Sequence, residues 1–132
     1  MFNSNYDTSE VERSLKEAVL KAGISKNVFT GIRPKKVNES MKDFVVVVCN
    51  RINDRNAFGR CTCRIEMFVK ELSNGLKNGD KFSEMIKKAE KISFAKYLNY
   101  IFIPDDVIPL GSDGFGFYVE AIQVNTIIKL KN

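Results

Sequence analysis

From Ala57 to Leu72 the chain reads AFGRCTCRIEMFVKEL, and apolar and polar side chains alternate through most of it. Cys61, Cys63, Ile65, Met67 and Val69 fall on one side; Arg60, Thr62, Arg64, Glu66 and Lys70 fall on the other. A period of two over this length predicts a long β-strand with one buried and one wetter face. Phe68 interrupts the polar side, so part of that face is expected to be covered as well. The rest of the chain reads as what pairs with this strand, packs on it or hangs from its ends.

Upstream, Val11, Leu15, Ala18, Val19 and Ala22 recur at helical spacing. Ser9 and Glu12 fit a capping box ahead of them, and Gly23 suits the stop. Residues 1–6 read as a loose arm. Asn27 to Ile32 reads as a short strand ended by Arg33-Pro34. Phe44 to Cys49, FVVVVC, is a continuous β-branched run, as expected of a central strand covered on both faces. Arg51 to Asn56 is a polar turn joining it to the alternating strand. After turn residues 73–80, Phe82, Met85, Ile86, Ala89 and Ile92 form a second helical stripe, with Asp80 as cap and Glu84 facing Lys88. Tyr97 to Ile103 reads as a strand and residues 104–116, with two prolines and three glycines, as a long loop. Phe117 to Leu130 alternates again, with Tyr118, Ile122, Val124, Ile128 and Leu130 on one face.

The order α-β-β-β-α-β-β predicts one α+β domain over 1–132. It is a two-layer sandwich with a mostly antiparallel sheet of four to five strands. Both helices are expected on the sheet face that carries Cys61, Ile65 and Met67.

At 132 residues the chain can bury roughly two-thirds of its unfolded surface, enough for a core without staples. No apolar run approaches the roughly 20 residues that span a bilayer, and the N-terminus lacks the pattern of a signal peptide, so no membrane partner is expected. Three cysteines, an odd number, argue against a disulfide framework, and their simplest reading is as small buried hydrophobes. The chain has no histidine, which removes imidazole acid–base chemistry and the commonest zinc ligand. A net charge of +5 permits contact with nucleic acid or an acidic partner without demanding it.

Few residues stand out for chemistry. Asp105, Asp106 and Asp113 are acids in a glycine- and proline-rich segment, read as turn formers rather than metal ligands. Residues 111–117, GSDGFGF, are not a phosphate loop, because a strand follows instead of a helix. They suit a hairpin or a subunit contact through Asp113, Gly114 and Phe115. Arg51, Arg55, Arg60 and Arg64 lie on or beside one hairpin and make a basic strip if Arg60 and Arg64 share a face. Such a strip suits a phosphate backbone or an acidic neighbouring subunit; Asp54 and Glu66 among them suit ion pairs. No catalytic residue, metal or cofactor is indicated. A small enzyme remains a third reading only if Asp105, Asp106 or Glu120 converge in a pocket.

The ordered elements SEVERSLKEAVLKAG, NVFTGIRP, FVVVV, GRCTCRIEMFVKE, KFSEMIKKAEKI and YVEAIQVNTIIKLK cover most of the chain. In this order, from about Ser9 to Leu130, the chain resembles the tail terminator, or tail completion, proteins of long-tailed bacteriophages. The resemblance implies a structural protein that forms a ring, typically a hexamer, on the tail tube. Its partners would be copies of itself, tail-tube proteins and head-tail connector proteins, with non-specific DNA contact open. Its place would be the host cytoplasm during assembly and then the virion tail. The alternative is a small basic nucleic-acid-binding or regulatory module from a mobile element.

Overall fold

A computed structural model describes residues 8–50, 53–55, 58–92, 95–97 and 100–129. The fold is α+β. Its helices are α1 (Thr8–Ala22) and α2 (Gly79–Ala89), the latter continued by a 3-10 turn at Glu90–Ile92. Its strands are β1 (Val28–Thr30), β2 (Asp43–Cys49), β3 (Asn53–Arg55), β4 (Phe58–Lys70), β5 (Ala95–Tyr97), β6 (Tyr100–Ser112) and β7 (Phe117–Lys129). They form one sheet in the order β1-β2-β4-β7-β6-β5, with β3 paired to β4. The five expected strands are present, joined by the three-residue β3 and β5. Every pairing is antiparallel except β1 with β2.

The alternating strand is the spine of this sheet. β4 pairs with β7 over its whole length, from Phe58↔Lys129 to Lys70↔Phe117, and with β2 on its other edge. Both helices lie on the face that carries Cys61, Cys63, Ile65, Met67 and Val69. Val11, Leu15, Val19, Phe82 and Met85 join these residues in one buried cluster. Fully burying a side chain of this size contributes about 1.5–3 kcal/mol.

Among the described residues the opposite face is covered only at one end. Two parallel neighbours need a crossover connection, and residues 31–42 supply it by passing over that face. There Val37 and Met41 pack against a second cluster of Phe44, Val46, Phe68, Phe117 and Val119. Phe68, the apolar intruder on the polar side of β4, stacks on Phe44 with ring centroids 4.4 Å apart.

The helix and turn details differ from the sequence reading in four places. Helix α1 is described from Thr8, which places Ser9 inside the helix, and Glu12 reaches the sheet. Its Oε2 accepts the N–H of Cys49 at 2.9 Å, at the edge of β2 beyond the end of β1. Helix α2 is capped by Asn78, whose Oδ1 accepts the Lys81 N–H at 3.1 Å, while Asp80 sits in the first turn. Strand β1 stops at Thr30, before Arg33-Pro34, because Gly31 turns with φ +84°. Within the expected polar turn, Asn53–Arg55 continues the ladder against Phe58–Arg60. Gly23 does end α1, with φ +77° and its N–H bonded to the Val19 and Leu20 carbonyls. Replacing Asn78 by alanine removes a side-chain cap, and about 1 kcal/mol of stability should go with it in urea unfolding.

The largest correction concerns residues 104–116. Strand β6 runs through both prolines to Ser112, so the expected long loop shrinks to residues 113–116. Proline is tolerated because β6 is an edge strand beyond the three residues paired to β5. Register shifts fall between Pro104 and Val107 and between Pro109 and Gly111.

Candidate functional site

The β6–β7 hairpin exposes most of its outer strand. From Asp105 to Ser112 every residue of β6 is exposed. Val107, Ile108 and Leu110 are among the exposed large hydrophobics, and Phe115 at the tip is 77% exposed. An edge of this length with apolar side chains is a surface for pairing with another chain. The prolines and bulges limit ladder addition to short stretches, so side-chain contact dominates what this edge can offer.

The tip is held rigidly. Asp113 Oδ1 accepts the N–H groups of Phe115 and Phe117, at 2.7 and 3.1 Å. Its Oδ2 receives Arg33 Nε at 3.2 Å and Nη2 at 3.1 Å. Gly114 and Gly116 have φ of +79° and +91°, a conformation that side-chain-bearing residues rarely adopt. Arg33, from the crossover, lies within 5.3–5.9 Å of the ring centroids of Phe44, Phe68, Phe115 and Phe117. A guanidinium over aromatic faces is attracted by the ring quadrupoles. One arginine therefore ties the crossover, the second core cluster and the hairpin tip together. Beside it, a cleft of about 540 Å³ is bordered by Lys35, Val37, Met41, Lys70 and Phe115.

The sequence-predicted residues separate into three groups. Asp113, Gly114 and Phe115 form the tip, as a hairpin turn. Arg60 and Arg64 share the sheet face opposite the helices, where Arg60 is exposed and Arg64 pairs with Glu66 at 3.1 Å. Arg51 lies outside the described residues, as does the side chain of Arg55. Asp105 and Asp106 are exposed on β6, with Asp105 accepting from Asn125 at 3.4 Å. Glu120 is buried on the helix face and paired with Lys77. These three acids do not converge.

A second constellation lies on the helix face. Cys49 and Cys63 are directly opposite each other in the β2–β4 ladder, and Cys61 is two residues along on the same side. Their sulfurs all lie within 4.8 Å of one another. Cys61 Sγ donates to the Asn50 carbonyl at 3.2 Å, and Thr126 Oγ1 donates to Cys63 Sγ at 3.4 Å. The Cys61 thiol is held down to about 4, because Cys49 and Cys63 both donate toward its sulfur. Cys49 is pushed far up by its hydrogen bonds to Cys61 and Cys63 and by burial. At Cys63 the bond from Cys49 works downward, but the bond to Cys61 and burial outweigh it. Arg33 and this cluster both escape a reading of the sequence by segments, because each is assembled across the sheet.

Among the described residues no helix is long and apolar enough to cross a membrane. Comparison with protein-family models and with curated proteins found no match.

Proposed function

We propose that this chain is a structural assembly protein of the kind that phage tail terminators represent. Copies associate through the β6–β7 hairpin into a ring that ends a tail tube and offers a joining surface for the head. The observation that carries this reading is the projecting hairpin, whose rigid tip presents Phe115 and whose open edge presents Val107, Ile108 and Leu110. Arg33 meets the Phe115 ring, yet most of that ring stays exposed, and an interface gains a pre-ordered anchor from it. A ring needs a head-to-tail contact whose rotation closes. The hairpin of one copy seated against the crossover face of the next is such a contact. Tail-tube and connector proteins are the proposed further partners, and the host cytoplasm and virion tail the proposed locations.

The alternative, a small basic nucleic-acid-binding module, draws on Arg60 and Arg64. It has the weaker support, since Glu66 already pairs with Arg64. The two readings part in one experiment. Light scattering coupled to gel filtration and negative-stain imaging should show annular oligomers. Leu110→Asp with Phe115→Asp should reduce them to monomers with unchanged circular dichroism. Monomer alone at high concentration, with salt-sensitive DNA binding that Arg60→Glu plus Arg64→Glu removes, would favour the alternative.

A further inference from the structure

We propose that Cys49, Cys61 and Cys63 form a binding site for one soft, thiophilic metal ion held by three thiolates. The argument begins with register. Asn50 donates its N–H to the Thr62 carbonyl, while the Cys49 N–H points away from β4 to Glu12. Cys49↔Cys63 is therefore a non-hydrogen-bonded pair, the kind in which facing side chains approach most closely, with Cα atoms about 4.5 Å apart. Cys61 adds a third sulfur from the same face of β4. The ladder itself thus places three soft donors at the corners of a small triangle.

An ion can be seated among the three sulfurs after one adjustment. Cys61 and Cys63 sulfurs are 3.8 Å apart, and those of Cys49 and Cys63 are 2.6 Å apart. The second separation is shorter than unbonded sulfurs can hold. An ion with metal–sulfur bonds of about 2.3 Å, set among three sulfurs, spaces them by about 4 Å. The Cys61–Cys63 edge already has that length. The other edge must open by roughly 1.4 Å, a change that a side-chain torsion of half-buried Cys49 supplies. A disulfide between Cys49 and Cys63 would also relieve the crowding, but it needs an external oxidant and leaves the third sulfur without a role.

Charge and access agree. Three thiolates this close together repel one another, and a bound cation offsets that repulsion. Binding joins the ion to three sulfurs and releases their S–H protons to solvent. Thr126, donating to Cys63 Sγ, orients one ligand as outer partners of metal sites do. Among the described residues no fourth histidine, cysteine or carboxylate joins the group, so the geometry is three-coordinate or completed by water. Three sulfurs and no oxygen donor select copper(I), zinc or cadmium over magnesium and calcium.

Cadmium is a suitable probe for the reduced, metal-free protein. The thiolate-to-metal ultraviolet band should saturate at one equivalent, and native mass spectrometry should count one ion per chain. Excess magnesium should not displace it. Cys63→Ser should weaken binding by at least about 100-fold. If that buried change unfolds the chain, Cys49→Ser at the rim should give the same loss with circular dichroism unchanged. No band, a band that persists in both serine variants, or closure of a Cys49–Cys63 disulfide in air at the same rate with and without cadmium would overturn the site.

Discussion

Phe44→Ala is expected to destabilise the protein by about 4 kcal/mol, as large-to-small changes at fully buried aromatic positions do. Phe44 is 0% exposed and sits where three structural devices meet. Phe68 stacks on it at 4.4 Å, and Phe29 and Phe117 meet it edge-on at 6.0 and 5.1 Å. The Arg33 guanidinium lies 5.5 Å from its centroid. Truncation therefore leaves a cavity and strips the aromatic lining from a cation. The residues around it cannot collapse inward, since β2 and β4 are pinned by their ladder. Phe29→Ala, at a half-buried edge position, should cost less than half as much in the same denaturant titration. A loss under about 1.5 kcal/mol for Phe44→Ala would mean that the face opposite the helices is open and the crossover does not seal it.

How far such features can be read from sequence depends on whether one segment contains the cause. Strand β4 was legible because one face is apolar at every position from Cys61 to Val69; Phe68, the one break on the other face, marked the second cluster. Both helix stripes were legible for the same reason. Strand β6 was not. Pro104, Asp105, Asp106, Pro109 and Gly111 are all turn formers by local preference, and an outer edge exposed on both faces imposes no apolar alternation. Pairing with β7 overrides that preference. The caps failed differently. Glu12 had a local partner available in sequence, but the unpaired Cys49 N–H at the sheet edge claims its carboxylate.

The candidate sites divide along the same line. That Asp113, Gly114 and Phe115 turn a hairpin was legible because turn chemistry is local. The alternation of β4 put Cys61 and Cys63 on one side, but adding Cys49 required the register of β2 against β4. That register is a matter of seven β2–β4 pairs, which no single stretch specifies. Arg33 looked like a strand terminator beside a proline. Its role over four phenylalanine rings exists only once the crossover has folded over the sheet.

Asp113→Ala should remove about 2–3 kcal/mol and release the tip, for reasons that separate into two parts. Two backbone N–H groups lose their acceptor, at about 1 kcal/mol each, and the amides of Phe115 and Phe117 must find water instead. Arg33, only partly exposed, loses its counter-charge while still held among aromatic rings. Asp113→Asn distinguishes these terms. Its side-chain oxygen still serves both amides, so it should retain most of the stability and give up about 1 kcal/mol with the ion pair. Amide exchange at residues 114–117 should quicken markedly in the alanine variant and little in the asparagine variant. Because the assembly reading depends on a fixed Phe115, the alanine variant should also associate more weakly, although Phe115 itself is intact. Equal exchange rates in both variants would show that the glycines alone shape the turn, and the anchoring role assigned to Asp113 would fall.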